Sequence, residues 1–155
     1  MSFKLVGVPF EPFAELFALT CEALAARGAR RVFATEKPGY PCRVSLADAE
    51  IGEELLLLPF THQPAQSPYR ASGPIFVRKA ARLCELAAGV VPDYVRLRQM
   101  SLRAYDAAHS MIDAAVCEGR EVAPAIRAMF GNSAVAYIHL HNAKRGCYSC
   151  RADRA

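Results

Sequence analysis

The sequence predicts an α+β fold, a mixed and mostly antiparallel sheet with two or three helices, and three observations support this. Segments with strand character outnumber helical ones, and short turns between neighbouring strands favour antiparallel pairing. The chain has 155 residues, the length of one domain spanning 1–155, and is long enough to bury a core. Hydrophobic residues make up 53% and charged residues 22%, which is typical of a globular domain.

The amino-terminal half is predicted to alternate strands with short helices. The expected elements are a strand over 3–8, a helical segment over 13–17, a helix over 21–27 capped by Thr20 and ended by Gly28, and strands over 30–35, 44–46 and 54–60. The run ELLLLPF at 54–60 is continuously apolar and of strand length, which favours a central strand buried on both faces. Residues 61–73 are expected to form the longest loop, and loops of this length are often functional.

The carboxy-terminal half is also predicted to contain strands and short helices. We expect a strand over 74–78, a short helix over 79–88, one helical turn within 92–98, a hairpin of strands 101–106 and 111–116, a helix over 122–130 and a strand over 135–140. In the last helix Val122, Ile126 and Met129 share one face, and Pro124 falls in the first turn, where proline is tolerated.

The segment 137–151, YIHLHNAKRGCYSCR, gathers chemically active residues at spacings that can converge on one point. Because alternate side chains of a strand share a face, His139 and His141 would point the same way. Cys147 and Cys150 follow as a C-x-x-C pair. Zinc takes four nitrogen or sulfur ligands in a tetrahedron, so these four residues predict a zinc site. The alternatives are a dithiol redox pair, or two reduced cysteines that bind nothing.

A second hypothesis is a metal-free, thiol-dependent enzyme. Cys42 follows a rigid proline–glycine turn, and the guanidinium of the adjacent Arg43 favours its thiolate. His62 lies where the apolar strand opens into the long loop, and could act as the base for a Cys42 nucleophile. Arg70 would assist this pair by holding an anionic substrate.

The predicted site is a single pocket in which the segments 37–43, 62–73 and 137–151 meet, because unusual polar residues and turn glycines concentrate there. The expected ligand is small and anionic, since Arg70 and the amides near Gly73 can hold a carboxylate or a phosphate. Ser72, Tyr137 and Asn142 complete the predicted ligand-binding set.

A third hypothesis assigns no chemistry to the chain and makes it an interaction or structural module, with a homodimer as the expected assembly. The 19 Lys and Arg residues exceed the 15 Asp and Glu residues by only four, and no basic run is longer than two. Nucleic acid and membrane surfaces are therefore not expected partners. Without a secretory signal or an apolar stretch of about 20 residues, the cytosol is the expected location.

Four blocks of the sequence carry a resemblance to a known family: KPGYPCRVSL (37–46), HQPAQSPYRASGPIFVR (62–78), RAYDAAHSMIDA (103–114) and YIHLHNAKRGCYSCR (137–151). Together they resemble the bacterial family called domain of unknown function 1203, over nearly the whole chain. The resemblance implies a stand-alone, single-domain bacterial protein. It implies no activity, cofactor or catalytic residue.

Overall fold

The computed structural model describes residues 1–155, whose strands form two five-stranded sheets. The first, sheet A, has the order β1-β10-β9-β7-β8 and is antiparallel throughout. Its strands are β1 (Phe3–Val6), β7 (Gln99–Tyr105), β8 (Met111–Glu118), β9 (Tyr137–Asn142) and β10 (Tyr148–Arg154). The predicted hairpin is the β7–β8 pair, and the predicted strand near the carboxy terminus is β9.

The second sheet, sheet B, has the order β2-β5-β6-β3-β4. Its strands are β2 (Arg30–Phe33), β3 (Pro41–Cys42), β4 (Ala47–Asp48), β5 (Glu54–Gln63) and β6 (Ala71–Arg78). Only the β3–β6 pair is parallel. The predicted α+β class with mixed, mostly antiparallel pairing is thus confirmed, with the strands divided between two sheets.

Short helices cover the apolar faces of the sheets. They are α1 (Cys21–Ala25), α2 (Asp93–Arg96), α3 (Val122–Phe130) and two 3-10 helices (Glu11–Ala18 and Gly119–Glu121). Thr20 caps α1 as predicted, because its side-chain oxygen accepts the Ala23 N–H at 3.2 Å. None of these helices has the length and apolar character needed to cross a membrane.

Two main cores result from this packing. In the larger core, α3 contributes Ile126 and Phe130 against Leu102, Ile138 and Leu140 of sheet A. The second core lies on sheet B under α1 and the first 3-10 helix, and includes Phe13, Leu24, Cys42, Leu56 and Val77. One face of sheet A therefore packs against helices, and its opposite face can contact other parts of the chain.

Several predicted elements differ from the structure. Residues 44–46 form a turn and not a strand, with Leu46 at φ 48°. The helix expected over 79–88 is absent, because backbone groups there bond to other segments: Cys84 N–H donates to Val44 O and Gly89 N–H donates to Phe3 O. The loop expected over 61–73 is shorter, since β5 and β6 extend into it from both sides. Strand β10 was not predicted at all, because its sequence, YSCRADR, is largely polar.

Candidate metal centre

Three imidazoles meet between the two sheets. His139 and His141 come from β9, the central strand of sheet A, and His62 comes from the far end of β5 in sheet B. One nitrogen of each ring can serve as a ligand atom, and these three atoms all lie within 4.8 Å of one another. The site therefore joins residues that are distant in the sequence.

The pairing of β7 with β9 explains why two of the histidines point the same way. His139 lies opposite Arg103 and His141 lies opposite Ser101, so these side chains share one face of sheet A. The intervening Ile138 and Leu140 point to the opposite face and into the core under α3. Alternation along a single strand thus places two imidazoles on the side away from the helices.

His62 reaches the same place because the β5–β6 ladder is irregular between Phe60 and Gln63. This irregularity lets β5 continue toward sheet A, where the buried Gln63 donates from Nε2 to the hydroxyl of Tyr137 at 2.8 Å. The His62 ring stacks on Tyr148, with centroids 5.3 Å apart and planes at 4°. Two contacts from sheet A therefore hold the end of β5 and the His62 ring in position.

The hydrogen bonds leave one buried nitrogen of each histidine without a partner. Nδ1 of His141 lies 2.9 Å from the carbonyl oxygen of Gly146, and a carbonyl can only accept, so Nδ1 carries the proton. Nε2 of His141 then presents a lone pair. Nε2 of His141, Nδ1 of His62 and Nδ1 of His139 are all buried and make no hydrogen bond within the protein. Buried polar groups are normally satisfied, so three such nitrogens in one cluster indicate a missing partner.

Burial keeps these imidazoles neutral. It lowers the pKa of His139 to about 3 and that of His141 to about 4, with the other imidazoles and Arg103 adding to the effect. The pKa of His62 is also lowered, first by burial and then by Arg103. A neutral imidazole is the form that binds a metal ion, so the environment favours the form needed for coordination.

The arrangement fits a three-histidine metal site. With Zn–N distances of about 2.0 Å and tetrahedral angles, ligand nitrogens lie about 3.3 Å apart, so small rotations of the rings would close the site around an ion. The converging ligand atoms belong to three histidines, with no carboxylate or thiolate among them. Three protein ligands leave a fourth position for water or a substrate, as in catalytic zinc sites.

The cysteines predicted as ligands lie elsewhere, which corrects the predicted four-residue set. Cys150 is paired with Leu140, so it points into the helical core and away from His139 and His141. Burial raises the pKa of its thiol to about 12, which disfavours the thiolate that zinc needs. Cys147 precedes β10, and its thiol contacts the carbonyl of Arg145. Neither sulfur belongs to the group of ligand atoms that converges at His62, His139 and His141.

The pair predicted for thiol chemistry is not formed. Cys42 is fully buried in the core of sheet B, where its sulfur accepts the Arg78 N–H at 3.3 Å and makes no hydrogen bond to His62. Arg43 points away to the backbone, with Nε donating to the carbonyl of Tyr148 at 2.7 Å. His62 instead contacts the two histidines of β9. His62 was predicted to act with Cys42, and the structure gives it different neighbours.

The predicted ligand-binding residues are spread over several places. Arg70 is exposed and donates to the carbonyl of Pro64, and the hydroxyl of Ser72 lies 2.8 Å from that of Thr61. Gly73 is paired with Phe60 in the β5–β6 ladder. Tyr137 lies beside the histidines and also contacts Nδ1 of His109 at 2.8 Å. Asn142 faces the other side of β9 and lines a separate cavity.

Arg103 lies outside the segments that the sequence predicts to form the site, whereas Gln63 and Tyr148 lie within the predicted segments 62–73 and 137–151. Tyr148 lies opposite His141 on β10, and Arg103 lies opposite His139 on β7. The alternation of polar residues with Leu102 and Ala104 in β7 is a signal for Arg103, because it places that side chain on the face away from the core. No local signal marks Gln63 individually.

Comparison with known proteins identifies the family. Residues 39–154 match the family described as protein of unknown function (DUF1203), and the chain therefore belongs to it. The comparison with curated proteins gave no match, and neither did the comparison with solved structures.

Proposed function

We propose that this member of the DUF1203 family binds a divalent transition metal ion, zinc in the first place, through His62, His139 and His141. The observation that carries the proposal is the set of three buried imidazole nitrogens, one from each residue, that have no partner in the protein. Donors of this type suit zinc, copper, iron and nickel, and zinc is the ion that most often takes three histidines and a water.

A site of this kind supports hydrolytic chemistry. A zinc ion with three neutral ligands lowers the pKa of a bound water to about 7, which supplies a hydroxide nucleophile near neutral pH. Arg103 is close enough to lower the pKa values of all three histidines, and it has no carboxylate partner. Its positive charge favours an anionic fourth ligand, either hydroxide or the carboxylate or phosphate of a substrate. The proposed reaction class is metal-assisted hydrolysis of a small anionic substrate.

Elemental analysis of protein purified without a metal-affinity tag tests the proposal. We expect about one metal ion per chain, and loss of that ion in His139→Ala and His141→Ala. His109→Ala is the matched control, because His109 is an exposed histidine whose partner is the Tyr137 hydroxyl and which lies outside the cluster. Metal content that is unchanged in the two cluster variants, or absent from the wild type even after incubation with zinc, would contradict the proposal.

Thermal unfolding gives a second test that does not depend on activity. A ligand that binds only the folded state stabilises it by RT ln(1 + [L]/Kd), which is about 2.7 kcal/mol at a free zinc concentration 100 times Kd. The wild type and His109→Ala should gain this stability from zinc after metal has been removed. His62→Ala should not, and an equal gain in His62→Ala would remove His62 from the proposed ligand set.

Cobalt substitution tests the open coordination position. Cobalt(II) at a four-coordinate site absorbs strongly in the visible range, and exchange of its water for an anion changes the spectrum. We expect acetate or phosphate to change the spectrum of the cobalt-loaded protein, and Arg103→Gln to require about tenfold more anion for the same change. An equal anion requirement in both proteins would show that Arg103 does not contact the fourth ligand.

A further inference from the structure

A second site lies outside the histidine cluster. A cavity of about 650 Å³ opens between sheet B and the turn that joins β9 to β10. Its volume is in the range of small-molecule sites, and none of the three clustered histidines lines it. The cavity is therefore distinct from the candidate metal centre.

The cavity concentrates positive charge that has no counter-ion. Arg30, Arg43, Lys144 and Arg145 line it, and none of them forms an ion pair with a carboxylate. A fifth cation on the wall, Arg98, is already neutralised by Asp48. The only acidic side chain on the wall is that of Glu36, which is also unpaired. Four free cations against one carboxylate create a field that attracts an anion.

Arg43 gives this cavity a fixed, buried anion-binding group. Its residue is only 2% exposed, although a buried guanidinium normally has an acidic partner. Nε donates to the carbonyl of Tyr148 and Nη1 donates to that of Pro41, so the side chain is held in one orientation. Nη2 makes no hydrogen bond within the protein, and its two N–H groups remain available to a ligand. An immobilised guanidinium of this kind binds a carboxylate or phosphate with little loss of side-chain entropy.

Part of the lining is apolar. Tyr40 and Phe76 pack against each other with ring centroids 5.3 Å apart, and Leu57, Pro74 and Leu97 also line the cavity. An inorganic ion would use only the cationic side chains. A ligand with an apolar body and an anionic head would use both the cationic and the apolar side chains.

We infer that this cavity binds a small organic anion, with a carboxylate or phosphate held by Arg43, Arg30 and the Lys144–Arg145 turn, and an apolar body placed on Tyr40 and Phe76. The inference does not depend on metal binding at the histidines. It differs from the anion site expected from the sequence, since Arg70 and Ser72 do not line this cavity.

Titration of ¹⁵N-labelled protein with phenyl phosphate and with benzoate tests the inference. The protein is first freed of metal, so that neither anion can bind at the histidine cluster through an ion. We expect saturable shifts of the backbone amides of Gly39, Asn142 and Cys147, all of which line the cavity. Saturation by one anion and not the other supports the inference and identifies the head group. Inorganic phosphate should bind more weakly than phenyl phosphate, because it makes no contact with the apolar side chains of the cavity.

Variants at the mouth of the cavity make the test specific. Arg43 also holds the backbone at Tyr148, so the variants avoid it and use the exposed residues Lys144 and Arg145. The double variant Lys144→Gln/Arg145→Gln should raise the Kd for the better-bound anion about tenfold, because two charge-assisted contacts are lost. The control Arg82→Gln/Arg120→Gln removes the same charge from exposed positions that do not line the cavity, and should change the Kd less than about twofold.

Two results would overturn the inference. One is the absence of saturable binding of either anion by the wild type below about 10 mM. The other is an equal change in Kd in the mouth variant and the control variant, which would mean that net charge alone attracts the anion.

Discussion

Acidification of the metal-free protein is expected to destabilise it at pH values well above those at which its carboxylates become protonated. Burial lowers the pKa of His139 to about 3 and that of His141 to about 4 in the folded state, from an ordinary value of 6.5. In the unfolded chain both imidazoles are solvated and regain the ordinary pKa. Between about pH 6.5 and about pH 4 the unfolded state therefore binds more protons, and the free energy of unfolding falls as the pH falls.

The size of this effect follows from the two pKa differences. At about pH 5 each imidazole is almost fully protonated in the unfolded chain and almost fully neutral in the folded one, which costs about 2 kcal/mol per residue. The pair together lowers the unfolding free energy by about 4 kcal/mol relative to pH 7.5, a large share of the roughly 5–15 kcal/mol of a typical domain. His62, whose pKa is also lowered, adds to this loss. Glu53 and Glu54 add little by pH 5, because the stability from their lowered pKa values is lost mainly as the pH falls below the ordinary value of 4.5.

Urea denaturation of the metal-free protein between about pH 7.5 and pH 5 measures this loss. His139→Asn is the matched variant, because it keeps a polar side chain that does not titrate. We expect the drop in unfolding free energy to shrink by about 2 kcal/mol in the variant. A drop below about 1 kcal/mol in the wild type, or an equal drop in the variant, would refute the argument that burial holds these imidazoles neutral.

Two further predictions concern the scaffold. Gly119→Ala should destabilise the fold by about 3 kcal/mol or more in urea denaturation, because a Cβ there would lie 2.1 Å from the backbone oxygen of Val95, which cannot move aside. Gly73→Ala is its control, since a Cβ at Gly73 meets nothing within 4 Å, and a similar loss in both would contradict the steric explanation. Asp48→Ala should cost about 2 kcal/mol in the same assay, because Asp48 is the ion-pair partner of Arg98 and its side chain is only 6% exposed. A loss below about 0.5 kcal/mol would mean that water replaces the carboxylate at little cost.

The elements best predicted from the sequence are those with a local signal. Apolar runs and alternation gave β5 and the β7–β8 hairpin, and one helical face with a tolerated proline gave α3. The missed strand β10 has no such signal, because only Tyr148, Cys150 and Ala152 are apolar and their burial depends on the pairing with β9. Long-range pairing, and not local propensity, fixes this strand.

The candidate site was predictable only in part, for the same reason. Alternation along β9 is local, so the shared face of His139 and His141 followed from the sequence. Cys150 follows the β9–β10 register, which includes an irregularity that the sequence does not reveal. The third imidazole comes from the other sheet, from the end of β5 where the β5–β6 ladder is irregular between Phe60 and Gln63. Ligand sets that combine two sheets require the tertiary arrangement, which spacing along the chain cannot supply.

The pairing of β1 with β10 affects how this chain must fold as it is synthesised. Phe3 and Leu5 are fully buried, yet the ladder partner of their strand is formed by residues 148–154. The first strand therefore emerges from the ribosome well before its partner exists, and its apolar side chains stay exposed until residues 148–154 have been synthesised. Closing so long a loop is entropically costly, so sheet A should be completed late, after the local β7–β8 hairpin. A chain stalled before β10 would thus present Phe3 and Leu5 to chaperones.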